Sequence, residues 1–372
     1  MRALVTLLVL GLLAPAADAA ASDPDGAALY GERCASCHDG GVARAPDIVS
    51  LKQMSAATIK SALSDGSMRS VGETLNTAEI EAVSRFLGRA DSAATIPAAT
   101  CGKAPPVSGD PLSLPHWNGW GVDLAQHRFQ PAAMAGLAAA DVPKLKLKWA
   151  FGLSEVTRAN AQPTMVGGRL FLGSANGKVY SLDAKSGCVL WTFAADGPVR
   201  SAITIAVDGR GWTAYFGDQR GNAYAVDALA GSLRWQTHVE AHRAAMISGA
   251  PVLVDDTLYV PVSSFEEVTG ANITYSCCTF RGSIVALDAT SGAQRWQTYT
   301  IAEEPKAVRK NENGVELFGP SGAGVWDSPS VDRTLGRLYL GTGDSYSDPL
   351  PTPRMPSWRS DLATVRSFGS SR

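Results

Sequence analysis

The chain has 372 residues, a formal net charge of -2 and only 18% charged residues. That balance supplies no basic footprint for nucleic acid, and the length leaves room for more than one domain. The 37 glycines and 21 prolines favour many turns over long helices.

Residues 1–19 read as a signal peptide. Arg2 gives the positive start, Leu4 to Leu13 the apolar stretch, and Ala17-Asp18-Ala19 a small-residue cleavage site. The run is short for a membrane anchor, no later stretch predicts a membrane span, and the expected location is the bacterial periplasm. Residues 20–90 form the next expected unit, which opens on Cys34-Ala35-Ser36-Cys37-His38. Two thiols three residues apart can add to the two vinyl groups of one haem, and the histidine after them can ligate the iron. A zinc finger would need a second ligand pair nearby, but the next cysteine is Cys101. Helices are expected from about Ser55 to Leu63 and from Thr77 to Leu87, with Thr77 as the cap. Ile80, Val83, Phe86 and Leu87 share the inner face of the second helix. This is the layout of a small all-α cytochrome c domain. A sixth iron ligand must come from downstream. Met68 is preferred, in a turn ahead of the last helix, over Met54, which sits where a core residue would serve.

Residues 91–115, rich in alanine, proline and serine, read as a linker. An internal repeat follows. Val179 to Ala184 with Gly187 and Trp191 recurs as Ala223 to Ala228 with Gly231 and Trp235, and as Ile284 to Ala289 with Gly292 and Trp296. Counting Trp149, successive tryptophans stand 42, 44 and 61 residues apart, the last interval carrying an insertion. Each unit reads as a strand such as Arg169 to Gly173, a turn, a strand ending in Asp-Ala, a glycine turn and a strand opening on tryptophan. Periods of roughly 40 to 45 residues with several short strands apiece predict β-propeller blades. Residues 116–349 thus predict a mainly β, incomplete propeller of about four to five blades, its last part near Leu338 to Gly341. From 350 to 372 no alternating strand is expected, and the composition reads as an aberrant tail. Codons allowed for Leu350 to Ser360 can be read in another frame as the next blade strand, so a reading-frame change is the expectation there. A nucleotide sequence unable to encode that strand would remove it.

Ala286 to Trp296 resembles the tryptophan docking motif of the pyrroloquinoline quinone (PQQ) dehydrogenases. His116-Trp117 through Pro131, Gly324 to Ser328 and Gly341 to Asp344 are similar to other segments of that family. A cytochrome ahead of the propeller, together with Val260 to Glu267 and Tyr275 to Gly282, resembles the polyvinyl-alcohol type within it. The resemblance implies haem c, PQQ and Ca2+ as cofactors, and oxidation of secondary alcohol groups on a small or polymeric substrate. Electrons would leave through the haem to an acceptor such as a soluble cytochrome.

It also implies site residues. Trp326 would stack under the quinone. Adjacent Cys277 and Cys278 would form a strained ring on the pocket wall, leaving Cys101 to pair with Cys188; free thiols or crossed pairings remain the alternatives. Only 48 residues separate Cys278 from Trp326, fewer than in the best-known relatives, so the wall's placement is left open. Calcium would draw on Asp344, by motif, and on Glu266 and Glu267, by position. Arg158 and Arg200 are the cations available to the PQQ carboxylates. The family's catalytic aspartate is expected beyond this chain, so no base is assigned. A cytochrome carrying an inert propeller, and a non-enzymatic propeller scaffold like the outer-membrane assembly lipoproteins, stand as alternative functions.

Overall fold

The computed structural model describes residues 23–89, 99–102, 109–347 and the strand 363–367, save positions 41, 43, 44, 65, 67, 155 and 157. The expected signal peptide and the segment 350–360 lie outside the described residues. Among the described residues no helix is long and apolar enough to cross a membrane.

Among the described residues, six short helices build the N-terminal unit: α1 (Gly26–Arg33), α2 (Ala35–His38), α3 (Ile48–Leu51), α4 (Ala56–Ser64), α5 (Arg69–Gly72) and α6 (Thr77–Leu87). Their core is Tyr30, Leu51, Ile59, Leu63, Val83 and Leu87, with Met54, Met68, Ile80 and Phe86 packed at its border. The α6 cap differs from expectation. Asn76, not Thr77, accepts the Glu79 amide at 3.0 Å, and Glu79 returns a bond to the Asn76 amide at 2.8 Å. This reciprocal pair satisfies two amides that a Thr77 cap would leave open. Met68 is also placed differently, because α5 stands between it and α6. Its carbonyl accepts the amides of Val71 and Gly72, and so starts that extra turn.

The remainder is built from antiparallel sheets stacked as blades, after a short helix α7 (Ala132–Ala135). The first blade is β1 (Thr164–Val166), β2 (Arg169–Gly173), β3 (Lys178–Asp183) and β4 (Val189–Ala194). The second is β5 (Thr204–Asp208), β6 (Gly211–Gly217), β7 (Asn222–Asp227) and β8 (Leu233–His238). In the third, β9 (Ala245–Met246) and β10 (Val252–Val254) flank β11 (Thr257–Ser264), and β12 (Ser283–Asp288) and β13 (Gln294–Tyr299) complete it. Between β11 and β12 lies a one-turn helix, α8 (Glu266–Gly270). The insertion ahead of Trp296 holds α8 and the loop that follows it, and after Trp296 comes a hairpin, β14 (Lys306–Lys310) and β15 (Glu316–Gly319), which sequence patterning did not reveal. A last sheet pairs β16 (Ser330–Asp332), β17 (Arg337–Leu340) and β18 (Ala363–Ser367). The tail therefore contains a strand where none was expected, aligned antiparallel to β17.

The repeated letters have physical reasons. In each unit the aspartate carboxylate accepts turn amides: Asp227 takes those of Leu229 and Ala230, and Asp288 those of Thr290 and Ser291. The glycine closes the turn at positive φ, 75° at Gly187, 76° at Gly231 and 74° at Gly292. Three of the four repeat tryptophans donate from the indole to the alanine carbonyl of the next blade, Trp149 to Ala184, Trp191 to Ala228 and Trp235 to Ala289. The ring covers the glycine turn so closely that a Cβ on Gly231 would stand 2.8 Å from Trp191. The repeat is thus a chain of blade-to-blade locks. Gly231→Ala combines a left-handed backbone with that clash, and is expected to cost about 2 kcal/mol in a urea melt. An unchanged midpoint would refute the lock. Between blades run continuous apolar layers, including Phe171, Trp191 and Phe216, then Tyr215, Trp235, Leu258 and Val285.

Part of the stretch read as a linker is tied to the first blade. The Cys101 amide donates to the Val189 carbonyl, the Val189 amide donates to the Ala99 carbonyl, and Cys101 is disulfide-bonded to Cys188. The bond spans 87 residues of sequence. Closing so long a loop removes enough denatured-state freedom to contribute roughly 4.5 kcal/mol in the chain-entropy model. Cys101→Ser with Cys188→Ser should lower the unfolding free energy by that order, read from urea melts of the non-reduced proteins.

Candidate functional site

In the helical unit, α1 and α2 carry the CxxCH motif. Neither Cys34 nor Cys37 is in a disulfide; Cys34 is partly buried and Cys37 exposed. Burial pushes the Cys34 thiol above its ordinary value, and Cys37 adds to the effect. His38 is buried, and its Nδ1 lies 2.6 Å from the Pro46 carbonyl. A carbonyl can only accept, so Nδ1 carries the proton and Nε2 keeps its lone pair. This is the tautomer an iron-ligating histidine needs, with the outer hydrogen bond that orients it. Nearby, the Tyr30 hydroxyl donates to Asp39 at 2.5 Å, and burial followed by Asp39 raises its pKa. Met54 and Met68 both border the same core as Cys34. The Met54 carbonyl accepts the Arg89 amide at 2.8 Å and ties the end of the unit to α4. Two unpaired thiols, a lone-pair imidazole and thioethers at the rim of an apolar cluster fit haem c.

On the propeller a cavity of about 380 Å³ is lined by Glu267, Gly270, Ala271, Cys277, Cys278, Asp344, Ser345 and Tyr346. Cys277 and Cys278 are joined in a vicinal disulfide. The peptide between them is cis rather than trans, with Cα atoms 3.1 Å apart. Gly270 lies beneath the ring, and a Cβ there would stand 3.2 Å from the Cys278 sulfur and closer still to that of Cys277. Glycine at the end of α8 is what lets the disulfide seat.

The two adjacent glutamates of α8 do different things. Glu267 faces the cavity, where burial pushes its carboxyl up and the charge of Asp344 pushes it further. Two repelling carboxylates on one wall fit a divalent cation, which would relieve the repulsion. Among the described residues no cluster of three or more histidine, cysteine or acidic side chains could hold a metal, so other donors would have to be carbonyl or cofactor oxygens. Glu266 is fully buried and its oxygens are engaged. Oε2 accepts the amides of Thr279 at 3.0 Å and Phe280 at 2.7 Å, while Oε1 accepts the Tyr275 hydroxyl at 3.0 Å. His242 Nδ1 accepts the Ala244 amide, which leaves Nε2–H to point at Thr279 Oγ1 and at Glu266. Burial alone would raise the Glu266 carboxyl, but His242 and the two amides outweigh it and hold it below the ordinary value. Glu266 braces the segment that follows Cys278.

Trp326 does not line the cavity but stands beside it. Phe265 meets its ring edge-on at 6.1 Å, and a Cβ on Gly343 would be 2.7 Å from its indole nitrogen. Trp326 is thus held one residue away from Asp344. Arg158 and Arg200 are exposed and outside the cavity lining. Sequence reasoning missed Tyr346, whose ring stacks on Phe280 at 6.3 Å and whose phenol burial pushes up to about 12. Its place two residues after Asp344 was the available signal. Asp327 is a further acid not singled out from sequence; it accepts the Gly341 amide at 3.1 Å, and partial desolvation raises its carboxyl.

Fold and site together define a cytochrome c unit joined to a PQQ-dehydrogenase-type β-propeller. Two family models agree with that division. The model described as cytochrome C oxidase, cbb3-type, subunit III matches residues 21–87, and the model described as outer membrane protein assembly factor BamB matches residues 119–276. Polyvinylalcohol dehydrogenase from a Pseudomonas species is 37% identical over 365 residues, 92% of this chain and 56% of the relative. Its counterpart from Sphingopyxis sp. strain 113P3 is 37% identical over 87% of this chain and 52% of the relative. Quinohemoprotein alcohol dehydrogenase ADH-IIG of Pseudomonas putida is 27% identical over 69% of this chain and 36% of the relative. The chain belongs to the polyvinyl-alcohol-dehydrogenase type of the PQQ dehydrogenase family, and it spans about half the length of the curated relatives it matches.

Proposed function

We propose that this protein takes part in the oxidation of secondary alcohol groups, small or polymeric, in the periplasm. PQQ supplies the two-electron acceptor when bound, and haem c the one-electron outlet. The carrying observation is the cavity where the Cys277–Cys278 ring, Glu267 and Asp344 converge, in a chain 37% identical to polyvinylalcohol dehydrogenases. Glu267 and Asp344 would hold Ca2+ against the cofactor, the disulfide ring would form one wall, and Trp326 would offer a flat face. Cys34 and Cys37 would carry the haem as thioethers, and His38, through Nε2, and Met68 would be the residues that ligate its iron.

A propeller acting only as a scaffold, as the assembly-factor description would suggest, leaves the unpaired CxxCH thiols and oriented His38 without a purpose. The test is reduction of an artificial dye by the purified protein with a secondary alcohol, with and without added PQQ and Ca2+. Turnover that requires both additions supports the proposal. A reducible haem without alcohol-dependent turnover would mean that the chain transfers electrons only.

A further inference from the structure

A groove of about 660 Å³ runs between the helical unit and the propeller. Gly66, Arg69 and Glu73 line it from one side, and Arg243, Phe265 and Tyr275 from the other. Across it Arg69 Nη2 donates to the Arg243 carbonyl at 3.0 Å. The Arg243 guanidinium stands over the Tyr275 ring, 5.0 Å from its centre, and also interacts with the Tyr275 hydroxyl and the charges of Glu73 and Glu266. Tyr275 in turn donates to Glu266, which holds the amides immediately after Cys278. The contacts form one sequence from α5, which Met68 begins, to the disulfide ring.

We propose that Arg243 is a positioning residue that seats the Met68 side of the haem unit against the propeller, held at its carbonyl by Arg69 on one side and by the Tyr275 ring under its guanidinium on the other. The cation suits the place chemically: its planar face covers an aromatic ring while its charge answers carboxylates from both units. Glycine, serine or a neutral side chain at 243 would keep the carbonyl that Arg69 uses but lose the charge over the Tyr275 ring. The seating fixes how the haem edge meets the cofactor wall, and in that respect it rests on the function proposed above.

The experiment compares wild type, Arg243→Gln and Arg243→Lys in two ways. Hydrogen exchange on the haem-loaded protein without PQQ reports docking alone. Arg243→Gln should speed exchange of the groove-facing amides on both sides, residues 69–74 and 243–244, by about tenfold, while α6 and the blade strands stay unchanged. Arg243→Lys, which keeps the charge but not the planar stack, should fall between the two. Haem reduction is then followed in PQQ- and calcium-loaded protein after mixing with a secondary alcohol. Arg243→Gln should slow it about tenfold while a dye that draws electrons directly from the quinone is reduced at the wild-type rate. Unchanged exchange at both segments overturns the seating. Equal slowing of haem and dye also overturns it, because the variant would then be damaging the cofactor site. Wild-type protein that turns over no alcohol would defeat the functional reading, and the exchange comparison would still decide the seating.

Discussion

Protein in which Cys34 and Cys37 are both changed to serine is expected to lose all covalent haem, so that a denaturing gel stained for haem peroxidase activity shows no band. The expectation rests on a pair of thiols held out of disulfides, one partly buried beside the apolar core and one at the surface. His38→Ala separates attachment from ligation. The thiols remain, so haem should still be attached, but the iron loses the ligand whose tautomer the Pro46 carbonyl fixes. The visible spectrum should change from a six-coordinate, low-spin form to a high-spin one. The same change removes one partly buried hydrogen bond, so the apoprotein should lose only about 1 kcal/mol. Met68→Leu tests the second ligand. It should lower the reduction potential, since a thioether ligand raises it, whereas Met54→Leu should leave the potential in place. A haem band retained by the double serine variant would sink the attachment site, and a larger potential change in Met54→Leu would exchange the two methionines.

What could be read from the sequence was local or periodic. The CxxCH spacing is a complete chemical instruction within five residues. The blade repeat returns with the same Asp, Gly and Trp, because each does one job in a turn or a blade-to-blade lock. Less legible were features that depend on which loops meet. Glu266 and Glu267 are neighbours in an identical sequence context, yet the single turn of α8 buries one among amides and turns the other to the cavity. No periodic signal distinguishes them, since the difference is made by residues 275–280 folding back over the helix. Arg158 and Arg200 show a related limit: a position ahead of a blade strand says little about direction, and both are exposed and outside the lining of this cavity. The strand β18 was hidden for another reason. Only two small apolar residues, Ala363 and Val365, alternate in it, and its pairing with β17 is what aligns it.

Removal of Glu266 is expected to be the most damaging single change near the candidate cofactor site. Its carboxylate is fully buried and satisfies the Thr279 and Phe280 amides and the Tyr275 hydroxyl together. Glu266→Ala leaves those donors without an acceptor in a dry place, and should cost about 3 kcal/mol at neutral pH. Glu266→Gln keeps one acceptor and the shape, so about 1.5 kcal/mol is expected. The two variants also differ from wild type in their response to acid. The folded Glu266 carboxyl lies below its ordinary value, so its ionised form contributes fully above that value. The contribution declines as pH falls toward the depressed folded value, where the proton is finally taken up. Glu266→Gln has no such proton to bind, so the gap between it and wild type should narrow steadily through the acid range. Urea midpoints measured from neutral to acid pH give the result directly. A gap that stays constant would show that the glutamate charge contributes nothing beyond the shape of its side chain, and the brace behind the Cys277–Cys278 wall would then be one of packing alone.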